Sequence, residues 1–564
     1  MKAKGVLLPA AGLVLIGALV FYWIRFSPFS TSGNYSTDVL NAAFAERAVG
    51  YINRADSLGV STPGVDTRNL QHISIQLYPN TADTALAAVL KGISAEKDLL
   101  LTVVAGQEGA LRMVTDGEFD DALRLLCGLL PEKKQIYLRW DPDMEVPVQR
   151  HSWQYQSPDD YIAAFRHVAE ICRKAKPTLQ IMWSPAGYPG TEEYWPGEDV
   201  VDAVGISVNG QSELSATAYP RDPDQRTALR RKLIRTRFMD KPLWVLASGS
   251  DSLVQELQTD LREAVKGIKQ DSVFLFQQYA VKETAGRAAN AKPILGVYDP
   301  RQALTGSKDV HIEHLFVDLG NIQTGGFERD FEAVVRRGHE VIVTVEPWRD
   351  GKVRKDSSVL RNTVLGVYDE EFKSLFNTIS KTNLTVYVRF AHEMEIPIHR
   401  YSWQSQDPAL YIRAFRHFME LGKGVKNVKK VWGPAGDRGS MEWYPGGDVV
   451  DFVSIAIYGL PDKNITDPTK QESFETIFNR KVWRVRLASK PIFITEFGVK
   501  GPEDFQSEWL EKAAGVMAGH KEVAGVCYFN LADNPEVWGD IPAPDWGISQ
   551  ATFNRFVEAL DADR

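Results

Sequence analysis

The chain has 564 residues, with 65 Lys and Arg against 73 Asp and Glu for a net charge of −8, and it is 44% hydrophobic and 24% charged. That apolar fraction excludes a disordered chain, and 43 Gly are too few for a collagen-like one. Scattered Lys and Arg within an acidic whole leave no basic face for a phosphate backbone, so no nucleic-acid partner is expected, and Cys127, Cys172 and Cys527 are too few for a disulfide scaffold or a zinc knuckle.

From the N-terminus, residues 5–24 run without a charge over roughly the 20 residues that cross a bilayer. Lys2 and Lys4 precede this run, and Phe21, Tyr22 and Trp23 close it like an interfacial belt. The pattern predicts an uncleaved signal-anchor, since the segment from Phe26 to Ser30 is a poor cleavage site. Residues 1–30 are then a transmembrane anchor and tether. The remainder is expected on the periplasmic or extracytoplasmic side of the cell membrane.

Beyond the anchor the chain repeats itself with a period of about 250 residues, the length of a whole (β/α)8 barrel. Arg139-Trp-Asp-Pro-Asp-Met-Glu-Val-Pro147 lies opposite Arg389-Phe-Ala-His-Glu-Met-Glu-Ile-Pro397. The register continues through Arg150-His-Ser-Trp-Gln154 and Arg400-Tyr-Ser-Trp-Gln404, then Trp183-Ser-Pro-Ala-Gly187 and Trp432-Gly-Pro-Ala-Gly436. In the second copy, short β-rich runs begin near residues 294, 314, 340, 385, 428, 452, 491 and 525, alternating with segments of helical period. The first copy offers a matching series from Val49 to Gln277. The expected fold is α/β: two tandem (β/α)8 TIM barrels over residues 31–288 and 289–564, joined near residues 285–292 and preceded by one transmembrane helix.

In such barrels chemistry sits where the strands end at their C-terminal side. The fourth run of the second copy ends at Arg389 and Phe390 before His392-Glu393-Met394, and the seventh ends at Glu496. Two carboxylates on one rim suit glycoside hydrolysis, one as acid and base and the other as nucleophile. His392 has Glu395 and His399 nearby, but Pro397 interrupts the segment and the HExxH spacing is missing, so neither a metal nor an organic cofactor is expected. Trp348, Trp403, Trp443, Tyr458, Trp538 and Trp546 follow or end strands, where flat rings can stack on pyranose faces.

These residues carry a family resemblance. Arg389 with His392-Glu393-Met394, Tyr401-Ser-Trp403, Pro408 with Tyr411 and Ala414-Phe-Arg-His417, Tyr458-Gly459 and Thr495-Glu-Phe-Gly498 resemble glycoside hydrolase family 26, a family of β-mannanases with related β-glucanases and β-xylanases. The resemblance implies Glu393 as acid/base, Glu496 as nucleophile, His392 as a sugar-binding neighbour and Tyr458 as the hydrogen-bond partner of Glu496. Glu395-Ile396 and Ala456 depart from the mannanase pattern near substrate subsites, which detaches the reading from mannan itself.

The first copy has Asp143 for Glu393, Pro142 for His392 and Ala247 for Glu496. A methyl group forms no glycosyl ester, so this half is expected to be non-catalytic, kept for structure or for saccharide binding. The expected whole is a membrane-tethered, retaining endo-glycoside hydrolase acting on a β-linked polysaccharide of mannan or glucan type, linked to polysaccharide synthesis or export, with a synthase or export complex as partner. The competing expectation is a non-catalytic polysaccharide-binding or scaffold protein of such a complex.

Overall fold

The computed structural model describes residues 46–52, 70–132, 135–147, 151–208, 224–270, 286–288, 291–349, 356–397, 400–459, 472–535 and 542–562. The predicted membrane segment, residues 1–30, lies outside them, as does Trp538. No helix among the described residues is long and apolar enough to cross a membrane.

The second half is a closed eight-stranded barrel: β8 (Ile294–Tyr298), β9 (Ile312–Asp318), β10 (Glu340–Glu346), β11 (Val386–Phe390), β12 (Val428–Trp432), β13 (Phe452–Gly459), β14 (Ile492–Val499) and β15 (Val523–Phe529). Each strand pairs in parallel with the next, and β15 closes on β8. Side chains alternate across a strand, so every second residue fills the barrel in layers. The lowest layer is apolar, with Ile312, Ile342, Tyr387, Val431, Phe493 and Cys527 packed together. Two residues higher on their strands come His314, Thr344 and Arg389, a buried polar layer. The layer above that opens at the strand ends and holds the candidate site.

The first half keeps this plan in part. Its strands are β1 (Glu46–Ile52), β2 (Leu70–Gln76), β3 (Asp98–Val104), β4 (Ile136–Trp140), β5 (Gln180–Trp183), β6 (Ala203–Val208) and β7 (Leu243–Ser248). They form a seven-stranded sheet in the order β1-β7-β6-β5-β4-β3-β2, parallel from β2 to β7. The expectation of a first parallel barrel strand at Val49–Asn53 is corrected: β1 runs antiparallel, beside β7, in the place that β15 takes beside β14. Alternation buries the same residues whichever way a strand runs, so the pattern reveals a strand without its direction. The eighth strand expected near residues 273–277 lies outside the described residues. Cys127 and Cys172 lie in neighbouring helices, Asp120–Leu129 and Pro158–Ala175, and are free buried thiols.

The halves are joined by buried ion pairs that recur reciprocally. Glu442 accepts from Arg231 Nε at 2.9 Å and Arg235 Nε at 3.0 Å, and its repeat counterpart Glu193 accepts from Arg484 Nε, the counterpart of Arg235, at 3.4 Å. Arg237 donates to the Met441 and Tyr444 carbonyls, and its counterpart Arg486 donates to the Glu192 carbonyl at 2.8 Å. Burial pushes the Glu442 carboxyl up, but the Arg231 and Arg235 charges outweigh it and hold the group down at about 2.

Candidate active site

Glu496 owes its position to an irregular strand. Consecutive strand residues ordinarily face opposite sides, yet Thr495 and Glu496 both bond Arg389 inside the barrel. The β14–β15 register shifts between Ile494 and Phe497, and the β13–β14 register shifts between Ile455 and Ala456. Bulges of this kind re-aim side chains beside active sites. In the first half the β6–β7 register runs unbroken through Ala247, and the register shift beside β7 falls in β1, between Ala48 and Gly50.

Arg389 is 1% exposed and has its donors assigned on three sides. Its Nε donates to Thr344 Oγ1 at 2.9 Å, Nη1 to Thr495 Oγ1 at 2.8 Å, and Nη2 to the Glu496 carboxylate. His314 shares the Thr344 hydroxyl at 2.7 Å. Tyr458 donates to the other Glu496 oxygen at 3.1 Å. Behind Tyr458, Trp546 packs at 4.5 Å between ring centroids.

Glu393 follows β11 at φ +53°, in the left-handed region that costs a residue with a side chain of order 1–3 kcal/mol. Its N–H donates to the Gly433 carbonyl at 2.8 Å, and its own carbonyl accepts from the Gln404 side chain at 3.1 Å. Burial pushes its carboxyl up, with the Glu496 charge adding to the effect, to about 7. Burial, together with the Arg389 charge nearby, holds His392 well below its ordinary value, so the ring is neutral at neutral pH. The barrel mouth therefore places beside each other a carboxylate under a guanidinium and a carboxylic acid that keeps its proton near neutrality. That pairing can donate a proton on one side of a bond while a nucleophile attacks on the other.

Of the aromatic residues expected at the sugar face, Tyr458 bonds Glu496 directly. Trp348 is 7% exposed and lies 4.9 Å from Trp403 and 5.5 Å from Tyr401. Trp403 is corrected from a substrate platform to a brace: it is fully buried, lies parallel to Tyr401 at 4.7 Å, and its Nε1 donates to the His392 carbonyl at 2.7 Å. Trp443 sits in the short helix Ser440–Trp443 at the joint, buried edge-on against Tyr411. Trp546 is 1% exposed and serves as backing for Tyr458. Glu395, read in the sequence as a subsite departure, instead clamps the loop after β12: it accepts from Gly436 N, Asp437 N and, at 2.7 Å, Ser440 Oγ. Glu145 does the same in the first half, bonding Tyr188 N and Thr191 Oγ1 at 2.9 Å each.

Sequence reasoning missed Glu346, which ends β10. Burial raises its carboxyl to about 8, helped by Asp318 and Glu496. The same strand-end rule that found Glu496 would have found it, had the run been read one residue further.

The first half preserves the backbone turns of the site under different side chains. Asp141, Asp143 and Tyr155 have φ of +36°, +59° and +56°, and their counterparts Ala391, Glu393 and Ser405 have +45°, +53° and +55°. Trp153 Nε1 donates to the Pro142 carbonyl at 2.8 Å, as Trp403 does to His392. Among the described residues no cluster of His, Cys, Asp and Glu could hold a metal ion.

No family model matches the chain. Two curated relatives are β-1,3-xylanases: one from Vibrio sp., 30% identical over 115 residues, covering 19% of this chain and 24% of the relative, and one from Alcaligenes sp., 24% identical over 152 residues, covering 26% and 29%. The chain thus spans only about a quarter of the length of the curated relatives it matches. Among solved structures it is similar to a family 26 β-mannanase from Bacteroides ovatus, with a TM-score of 0.36, 16% identity, and coverage of 48% of this chain and 89% of that one. It is also similar to a double mutant of the endo-β-1,4-mannanase of Cellulomonas fimi, with a TM-score of 0.35, 16% identity, and coverage of 50% and 77%. In the motifs at its strand ends the chain resembles glycoside hydrolase family 26, the family named for the first of these structures.

Proposed function

We propose that the protein is a retaining endo-glycoside hydrolase of a β-linked polysaccharide, with Glu496 as nucleophile and Glu393 as acid and then base. The observation that carries this reading is the unequal treatment of the two carboxyls. Glu496 is gripped by Arg389 and Tyr458, while Glu393 is buried and raised to about 7. Glu393 gives its proton to the leaving glycosidic oxygen as Glu496 attacks the anomeric carbon. Then, as carboxylate, it takes a proton from the water that frees the sugar. Tyr458 and Arg389 hold the Glu496 oxygens so that one faces the sugar, and neutral His392 is placed to bond a sugar hydroxyl.

Mannan, β-glucan and xylan chains are the candidate substrates, the last because both curated relatives are named β-1,3-xylanases. Residues 5–24 support tethering to the cell membrane, with the barrels on the extracytoplasmic side. A tethered enzyme reaches what passes the membrane surface, so its task is trimming a polysaccharide during synthesis or export, beside a synthase or export complex. Ala247 and Asp143 leave the first half non-catalytic.

The test offers the purified protein β-mannan, mixed-linkage β-glucan, β-1,4-xylan and β-1,3-xylan, and repeats any hydrolysis with Glu496→Ala. Hydrolysis that survives this substitution refutes the nucleophile. Failure on all four polymers refutes the hydrolase.

A further inference from the structure

The joint is not reciprocal throughout: Arg480, the counterpart of Arg231, pairs with Glu472 of its own half at 2.8 Å. Asp407, which caps the helix Pro408–Leu421, pairs across the joint with Arg230 at 2.5 Å. The counterparts of these two residues are Ser157 and Asn479, whose side chains are too short to make that bridge. There the joint opens into a cleft of about 510 Å³ lined by both residues.

Other residues that break the repeat collect in the same cleft. Tyr155 stands for Ser405, Arg438 for Pro189 and Trp483 for Ile234, and all three line it. Their positions are fixed. Arg438 donates from Nε to the Pro189 carbonyl at 3.0 Å and from Nη2 to the Glu145 carbonyl at 2.6 Å, with its guanidinium 4.6 Å from the centre of the Tyr155 ring. Trp483 Nε1 donates to the Glu193 carbonyl at 3.0 Å, and Arg486 backs the ring at 3.7 Å. Tyr155 remains 38% exposed. The cleft thus brings Tyr155 and the buried Tyr194 of the first half together with Trp483 of the second, with the Gln156 and Asn479 amides on its lining. Rigid rings receive the apolar face of a pyranose, and amides and a guanidinium bond its hydroxyls. The volume falls within the usual range of small-ligand sites. Neither Glu393 nor Glu496 is among its lining residues.

The geometry points to a second saccharide site at this joint, separate from the catalytic mouth, which holds another stretch of the polysaccharide that the enzyme cuts. The choice of ligand rests on the glycoside hydrolase reading. The ion pair on the opposite side supplies the means of closing the cleft: Asn479→Arg with Ser157→Asp introduces, at the counterpart positions, the kind of bridge that Arg230 and Asp407 make.

The experiment measures retardation of the full-length protein in native gels cast with β-mannan, mixed-linkage β-glucan, β-1,4-xylan or β-1,3-xylan, alongside hydrolysis of the matching soluble oligosaccharides. The double substitution is expected to weaken polymer binding about tenfold while leaving oligosaccharide hydrolysis and the circular dichroism spectrum unchanged. Tyr155→Ala, at an exposed position, is expected to weaken binding in the same direction. Retardation equal to wild type in both variants, with hydrolysis intact, overturns the site and leaves the hydrolase standing. Retardation that the double substitution abolishes, in a parent protein that cuts none of the polymers, overturns the hydrolase and leaves the site standing.

Discussion

Arg389, rising from β11, reaches across the barrel to the Glu496 carboxylate on β14, and the same guanidinium bonds Thr495, the residue before it. One buried cation therefore fixes both the bulge and the group that the bulge presents. Its counterpart, Arg139, is equally buried, while β7 carries Ala247 where β14 carries Glu496.

Replacing either carboxylate separates their roles. Glu496→Ala is expected to lower kcat by at least about a thousandfold, since no covalent step remains. Glu393→Ala is expected to lose as much on polysaccharide and far less on aryl glycosides whose leaving groups need no proton. Rates for the two substrate classes in both variants check the assignment.

Arg389→Met is expected to leave the barrel folded and lower kcat about 100-fold, through a misplaced Glu496. Arg389 also lowers the Glu393 carboxyl, so its removal moves the alkaline limb of the rate profile upward. A purely structural defect would lower the profile without moving that limb. For the wild type, activity is expected to fall as pH rises through about 7, where Glu393 loses its proton.

Stability has its own pH dependence. The buried carboxyls of Glu192, Glu393 and Glu395 are raised to about 7 and that of Glu346 to about 8. A raised carboxyl binds its proton more tightly in the folded state, so its contribution is full below the unfolded value and declines as pH rises toward 7 and 8. Glu442 acts oppositely: held at about 2, it stabilises above the unfolded value and loses that contribution as pH falls. Tm is expected to peak near pH 5, by calorimetry across pH 3–9. Glu346→Gln, which mimics the protonated acid, is expected to flatten the alkaline decline.

Glu442→Ala leaves Arg231 and Arg235 buried without their carboxylate, a change of about 3–5 kcal/mol where a buried pair is broken from one side. Denaturant unfolding, followed by a signal from each half, is expected to show the joint giving way first.

How much of this was legible in the sequence depends on what each feature needs. Parallel strands and their helices leave periodic patterns, and Glu393 and Glu496 were found because strand ends can be read from them. Thr495 and Glu496 facing the same way could not be read, because a bulge is a property of paired registers. Trp403 and Trp443 look alike in sequence to rings that stack on sugar. Only packing distinguishes a tryptophan that braces a carbonyl from one that meets solvent. The direction of β1 was hidden for the same reason, since alternation reads equally in both senses.

The reciprocal joint has a consequence for the second barrel taken alone. Residues 289–564 carry both Glu442 and the arginines Arg484 and Arg486, whose counterparts Arg235 and Arg237 meet the Glu442 segment from the first half. One face thus holds donor and acceptor together, which makes it self-complementary, the condition for a closed twofold homodimer. Expressed without its neighbour, this barrel is expected to pair with a copy of itself and to sediment as a dimer. Within the intact chain, the first half takes the place of that copy.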